Sequence, residues 1–339
     1  MGDWMQFDQL KRRKFITLLG GAAMSRPLAA RSQQADRMPL IGVLIGYAED
    51  DPEVKARLAA FRAGLAKRGW LEGRNVQIEY RFAAGSSNQH ASFAKELIAL
   101  RPDVILAHST PVTAALQQET HAIPIVFVNV SDPIGSGFIA SLAHPGGNIT
   151  GVLLYEAGIV GKWLGLLKEI APSLARIGLL GNPKTTPFDY FLRSAEAAAT
   201  LLSVEVIPSQ VEASAADIGR ALGALASSPN SGLLVAPDAT TVVHRDQIIA
   251  LAARYRLPAV YPFNYFVAEG GLLAYGTDQL EMFRQTANYV DRILRGVKPA
   301  DLPVQAPIRY ETTINLKTAK ALGLTVPNGI LLAADEVIE

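Results

Sequence analysis

The chain has 339 residues, 49% of them hydrophobic and 19% charged, with 32 Lys and Arg against 31 Asp and Glu. That length implies two α/β-sized lobes, and the apolar content excludes a disordered chain. With charges balanced, no basic excess points to a nucleic acid, and the absence of cysteine excludes disulfide scaffolds, Cys-ligated zinc, iron–sulfur clusters, thiol nucleophiles and a lipid on an N-terminal cysteine.

At the N-terminus, Lys11-Arg12-Arg13-Lys14 precedes the apolar run Phe15–Met24, and small residues follow. This is the layout of a secretory signal, and the run is too short for a span, which needs roughly 20 residues. Arg12-Arg13 before Phe15-Ile16 also has the form of a twin-arginine signature. Ala30 and Ser32 suit a peptidase, so residues 1–32 are expected to be removed, leaving a mildly acidic exported chain.

Strands and helices then alternate. Leu40–Ile45 is a continuous apolar run, as in a strand buried on both faces. Pro52 opens a helix in which Val54, Leu58, Phe61 and Leu65 recur at helical spacing, ending near Gly69. Val76–Phe82 reads as a strand, Phe93, Leu97 and Leu100 mark a helix, Val104–Ala107 a strand, Val112–Glu119 a helix, and Ile125–Val128 a strand. That rhythm predicts a parallel sheet with helices on both faces.

The rhythm restarts at Ile177–Leu180 and continues at Gly232–Ala236. Gly146–Gly151 and Gly276-Thr277 read as crossovers between the lobes. Phe283, Ala287, Val290 and Leu294 mark a helix after the second crossover, and Ile308–Leu316 a last strand after Pro299, Pro303 and Pro307. The organisation expected is a first lobe of 38–148 with 278–300, a second of 151–275 with 306–326, and a tail of 327–339. Repeated crossovers suit hinge closure.

The chain has no phosphate loop and no nucleophile elbow. Gly135-Ser136-Gly137-Phe138-Ile139-Ala140 matches a dinucleotide pattern but lies late in its lobe and is read as a turn and short helix. The five histidines are scattered and read as capping or surface residues, and Asp50-Asp51 and Asp335-Glu336 as caps or solvated turns. No enzyme, metal site or cofactor is expected.

What remains is polar dressing at strand ends, where open parallel sheets bind ligands. Gly46-Tyr47, His108-Ser109-Thr110 and Asn129–Asp132 end strands of the first lobe; Gly181-Asn182-Pro183, Ala236-Pro237-Asp238, Pro262-Phe263-Asn264 and Tyr275–Asp278 end strands of the second. Hydroxyls at helix starts could hold a carboxylate and Asp238 or Asp278 an ammonium, while Tyr47, Phe188, Phe263 and Tyr265 could sandwich an apolar body.

Thr110-Pro111, Asp132-Pro133-Ile134-Gly135, Pro145–Gly151, Tyr275–Asp278, Gly296–Pro303 and Asn315–Lys320 together resemble the ABC-type solute-binding proteins of the tryptophan and aromatic-amino-acid group, over essentially all of 38–326. The resemblance implies a type I periplasmic binding fold: α/β, two Rossmann-like lobes with parallel sheets and three hinge crossovers. It implies a periplasmic component of an importer that delivers a small molecule to an ABC permease. By position, ligand residues would fall on Ser109, Thr110, Ser131 and Asp132 in the first lobe, and on Asn182, Asp238, Asn264 and Asp278 in the second. Lys184–Phe188 stands where aromatic-binding members carry a Ser- and Asn-rich loop, so the solute is expected only as a small carboxylate-bearing compound, an amino acid or related organic acid. A monomer without nucleic-acid partners is expected. The alternative is a ligand-sensing receptor of the same fold that signals rather than transports.

Overall fold

The computed structural model describes residues 37–339 apart from position 157, so the expected export signal lies outside the described residues. The first sheet is built from β1 (Leu40–Ile45), β2 (Gln77–Phe82), β3 (Val104–His108), β4 (Ile125–Val130) and β5 (Ile149–Leu153), in the order β2-β1-β3-β4-β5 with every pair parallel. Its connecting helices are α1 (Pro52–Ala66), α2 (Ser87–Ala99) and α3 (Thr110–Glu119). β1, β3, β4 and β5 are buried along their length because helices cover both faces, which is why they read as unbroken apolar runs. Asp51 caps α1 by accepting from the Glu53 N–H at 2.8 Å, and Pro52 supplies the fixed φ of the first turn.

The second sheet begins at β6 (Arg176–Gly181) after α4 (Ile159–Ile170). It continues through α5 (Phe188–Leu202), β7 (Glu205–Gln210), α6 (Ala215–Ala226), β8 (Ser231–Val235), α7 (Ala239–Val243), α8 (Arg245–Arg254), β9 (Ala259–Tyr261), α9 (Asn264–Ala268) and β10 (Leu273–Thr277). The chain then returns to the first lobe as α10 (Gln279–Leu294), which packs along α1. The crossing is close: a Cβ on Gly64 would lie 2.7 Å from that of Ala287. A short 3₁₀ turn (Pro299–Asp301) leads back to β11 (Tyr310–Asn315), α11 (Leu316–Leu322), α12 (Asn328–Ala333) and β12 (Glu336–Ile338). The strand order is β12-β11-β10-β9-β8-β6-β7. Among the described residues, only β10 and β11 pair antiparallel. β10 ends at the hinge and β11 starts there, so the two must run in opposite directions.

Among the described residues the chain therefore passes between lobes three times, between β5 and α4, at Thr277-Asp278 and at 302–309. The third passage is strapped to β5: Gln305 N–H donates to Gly151 at 3.0 Å, Leu153 N–H to Gln305 at 2.9 Å, and the Thr150 hydroxyl to Leu302 at 2.6 Å.

Several expectations are corrected here. The chain leaves the first lobe after Leu153 and not at Gly146–Gly151, because Ile149–Leu153 pairs with β4. Gly151 permits that pairing, since a Cβ there would stand 2.1 Å from the Phe127 carbonyl oxygen. The expected tail at 327–339 contributes α12 and the edge strand β12. Ile308 lies outside the last strand and is 75% exposed. Gly135–Ala140 forms turns without a helix, held by the Asp132 carboxylate accepting from the Gly135 N–H at 2.9 Å. His90 and His108 are buried, not surface residues.

Candidate functional site

The carboxyl ends of both sheets face a cleft between the lobes. Its inner cavity is walled by Tyr47 after β1, Ser109, Thr110 and Pro111 at the start of α3, and Asn129 and Ser131 at the end of β4, with Leu154 at the first crossover. The opposite wall is Thr185 and Thr186 after β6, Pro237, Asp238 and Ala239 before α7, and Phe263 before α9. About 20 Å³ is free between these walls, on the order of one water molecule. The lobes are thus drawn together, and a solute larger than water enters only if they part. Outside the cavity is a groove of about 430 Å³ between Tyr47–Pro52 and Ala84 on one side and Val242, Val243 and Arg245 on the other. Tyr47 lines both spaces and divides them. Two larger hollows of about 510 and 480 Å³ run along β7 and α6, but each is walled by the second lobe alone and edged with solvated charges. The cleft is the better candidate because both lobes build it and unmet polar groups gather there.

Three residues on or next to the first-lobe wall have positive φ. Ser109, Asn129 and Asp132 have φ of +87°, +58° and +48°, a region costly for residues with a Cβ. At Asn129 the β4–β5 register shifts, and this bulge re-aims the side chain. Its amide nitrogen donates to Gln279 Oε1 at 2.5 Å and meets His108 Nε2 at 3.2 Å, and Gln279 in turn donates to Thr277 Oγ1 at 2.8 Å. A polar chain thus runs from the cavity wall to the second crossover. Burial, with Arg57 adding to it, holds His108 well below the usual imidazole pKa, so its ring is neutral.

Of the residues expected to touch a ligand, Tyr47, Ser109, Thr110, Ser131 and Asp238 come together at the cavity. The Thr110 hydroxyl accepts from the Ser131 N–H at 3.3 Å, tying α3 to the loop after β4. Asp238 is buried; its carboxylate accepts from Thr241 N–H at 2.9 Å, Asn182 N–H at 3.0 Å and the Thr185 hydroxyl at 3.3 Å. Burial nevertheless raises its pKa to about 6. Burial likewise pushes the Tyr47 phenol up to about 12, against the opposing pull of Arg57.

Five others do not line the cavity. Asp132 closes the turn at Gly135. Asn182 bonds within its own lobe, donating to Thr240 Oγ1 at 2.9 Å and accepting from Lys184 N–H at 2.9 Å. Phe188 is a core residue at the start of α5, and Asn264 is exposed. Asp278 caps α10 through the Glu281 N–H at 2.9 Å and lies 3.9 Å from Arg284 and 4.0 Å from Arg309.

The pattern reading passed over Arg57; it marked Asn129 only within a polar strand end, and Thr185 and Thr186 only within the Lys184–Phe188 loop, none of them as a ligand residue. Arg57 carried a signal: it stands three residues after Val54 and four before Phe61, on the apolar stripe of α1, where a charge is out of place. It is 1% exposed, beside the rings of Tyr47, Phe263 and Tyr265.

Residues 46–338 match the family model described as ABC transporter substrate binding protein. The chain belongs to this family. It is a family of solute-binding proteins and not of enzymes. Among curated proteins, a tyrosine-binding protein of Clostridioides difficile is 26% identical over 276 residues, which is 81% of this chain and 79% of that one. Among solved structures, a Streptococcus pneumoniae domain in complex with L-Trp is 26% identical with a TM-score of 0.83, covering 89% of this chain and all of that one. A Vibrio cholerae conserved domain protein is 27% identical with a TM-score of 0.82 and the same coverage. A substrate-binding protein from Agrobacterium vitis with bound allitol, 15% identical at a TM-score of 0.61, shares the fold. The substrate-binding fold of this chain is thus the type I periplasmic one, with the cavity at the meeting of its two lobes.

Proposed function

We propose that the chain is the exported, solute-capturing component of an ABC importer, binding one small carboxylate-bearing solute per monomer in the interlobe cleft and handing it to a membrane permease. Aromatic amino acids are the leading solutes, because the Clostridioides difficile relative is a tyrosine-binding protein and the Streptococcus pneumoniae domain was solved with L-Trp. One observation carries the reading. The cavity is walled by strand ends of both lobes and flanked by Tyr47 and Phe263, so a solute bound there touches both lobes only when they close. Ser109, Thr110 and Ser131 supply hydroxyls on the first lobe. Asp238, and not Asp278, meets an ammonium group, since Asp238 lines the cavity and Asp278 caps a helix beside two arginines.

Titration calorimetry with L-tyrosine and L-tryptophan tests the reading. One site per chain is expected, together with a smaller radius of gyration in solution on saturation. Native mass spectrometry of the protein from its own cell envelope identifies the solute if another acid is preferred. Absence of binding to amino acids and organic acids at millimolar concentration overturns the reading. Export is tested by replacing Arg12 and Arg13 with Lys, which should leave a precursor in the cytoplasm; unchanged export means a different route.

A further inference from the structure

The buried polar groups around the cleft are out of balance. Among the described residues, nine buried side-chain nitrogen and oxygen atoms have no hydrogen-bond partner, and seven of them belong to Arg57, His108, Ser109, Asn129 and Tyr265. Ser109 and Asn129 line the inner cavity. The His108 ring packs 4.7 Å from that of Tyr47, and Tyr265 stacks 5.4 Å from Phe263. The unmet groups therefore surround one place, and Arg57 contributes three of the seven atoms.

Its guanidinium carbon stands 5.9 Å from the Tyr47 ring centroid and 5.8 Å from those of Phe263 and Tyr265. Aromatic faces attract a cation but accept no strong hydrogen bonds, and the Tyr265 hydroxyl, close enough to interact with the guanidinium, makes no well-formed hydrogen bond to it. Among the described residues, the anion within 4.0 Å of the guanidinium is Glu53, one helical turn earlier, 3.8 Å away, beyond hydrogen-bond reach, and 37% exposed. A buried guanidinium with unmet N–H groups is among the costlier features a fold can keep. The cage is divided between lobes: Tyr47 and Arg57 belong to the first, Phe263 and Tyr265 to the second. Arg57 lines neither the inner cavity nor the outer groove, and parting the lobes takes the Phe263 and Tyr265 rings off its guanidinium.

We propose that Arg57 takes the acidic group of the solute, making the cleft selective for a carboxylate over the corresponding amide. The inference rests on the solute-binding reading above. A carboxylate matches the guanidinium fork in shape and charge and offers two acceptor oxygens in its plane. An amide offers one uncharged acceptor beside an N–H₂ that repels the fork. His108 is neutral and does not compete for the acid. Asp238, on the opposite wall, is left to an ammonium group or to the donors of its own lobe.

The test is calorimetry of the full chain and of Arg57→Met and Arg57→Lys with two matched pairs: L-tyrosine against L-tyrosinamide, and 3-phenylpropanoate against 3-phenylpropanamide. The wild type is expected to prefer the acid of whichever pair it binds. Arg57→Met should lower the acid's affinity at least about 30-fold, the low end for removing one partner of a buried charge pair, and change the amide's less than about 3-fold. Arg57→Lys, which keeps the charge and loses the fork, should retain an intermediate preference, and it carries the comparison if the Met variant does not fold. A wild type that binds amides as tightly as acids overturns the proposal and leaves the solute-binding reading standing. So does an Arg57→Met variant that loses acid and amide equally, which would make Arg57 a closure contact only. If the wild type binds none of the four, the matched acid and amide of the solute identified by native mass spectrometry replace them; if no amino or organic acid binds at all, the reading of the cleft falls, and the proposal with it.

Discussion

The Asp51 carboxylate lies 3.7 Å from the Arg245 guanidinium, and the two side chains belong to different lobes. Arg245 is held in place by Glu269 of its own lobe, to which it donates at 2.9 and 3.0 Å. Asp51 is held by its role as the cap of α1. Both are therefore aimed before they meet, at the mouth of the outer groove that also contains Tyr47.

Removing this contact should favour the parted form. Arg245→Ala is expected to enlarge the radius of gyration of the free protein and weaken solute binding about 2- to 5-fold, since a partly exposed pair is worth up to about 1 kcal/mol. The effect should shrink as salt is raised. Small-angle scattering and calorimetry at two ionic strengths check it; identical curves and affinities would remove the pair from the closure.

Asp238 gives the protein a pH dependence of definite sign. Its pKa is raised from 3.8 to about 6, chiefly by burial, with hydrogen bonds from Thr241, Asn182, Thr240 and Thr185 opposing. The folded state then holds this proton more tightly than the unfolded state. The stabilisation is complete below about pH 4 and is lost as the pH rises through about 6. The unfolding free energy of the wild type minus that of Asp238→Asn should therefore fall by about 2 kcal/mol between about pH 4 and about pH 7. Urea titrations at several pH values measure this difference, and a flat or rising one would show that Asp238 is ionised without penalty.

Asp278 and Thr110 should separate stability from binding. Asp278→Ala deletes the cap of α10 and is expected to cost about 0.5–2 kcal/mol of stability with affinity unchanged within about 2-fold. Thr110→Val loses a cavity hydroxyl that also holds the Ser131 N–H, and should weaken solute binding by about 1–3 kcal/mol. Calorimetry alongside chemical denaturation distinguishes the two. A tenfold or greater loss of affinity in Asp278→Ala would move the ammonium site to the hinge.

Gly151→Ala tests the join between β4 and β5. The new Cβ would fall 2.1 Å from the Phe127 carbonyl oxygen, which is backbone and cannot swing away. The strands must part, at a cost of about 1–3 kcal/mol or more. Denaturant unfolding should show it, and a neutral effect would mean that β5 is not held against β4 in solution.

The strands were legible because burial on both faces leaves a simple trace, unbroken apolar runs such as Leu40–Ile45 and Ile125–Val128. β5 was hidden because its glycine, required by the close approach to Phe127, also looks like a turn residue. β12 was hidden by its length of three residues at the end of the chain. In the cleft, polar residues at strand ends pointed to Tyr47, Ser109, Thr110, Ser131 and Asp238, all of which line the cavity. The same signal marked Asn182, Asn264 and Asp278, because residues that cap helices and residues that face a cleft are drawn from the same types. Arg57 was lost for the opposite reason: an arginine within a helix reads as a solvated position unless its place on the apolar stripe is weighed.

The passage of α10 back to the first lobe bears on how the protein is born. The helix that covers α1 is translated only after β6 to β10 of the other lobe, and the strap on β5 emerges later still. A ribosome that has finished the first five strands has therefore made a half without its cover, with the face around Gly64 open to water. That half waits for its covering helix, so the two lobes mature together. A nascent chain stopped before Gln279 should be soluble only in the hands of a chaperone.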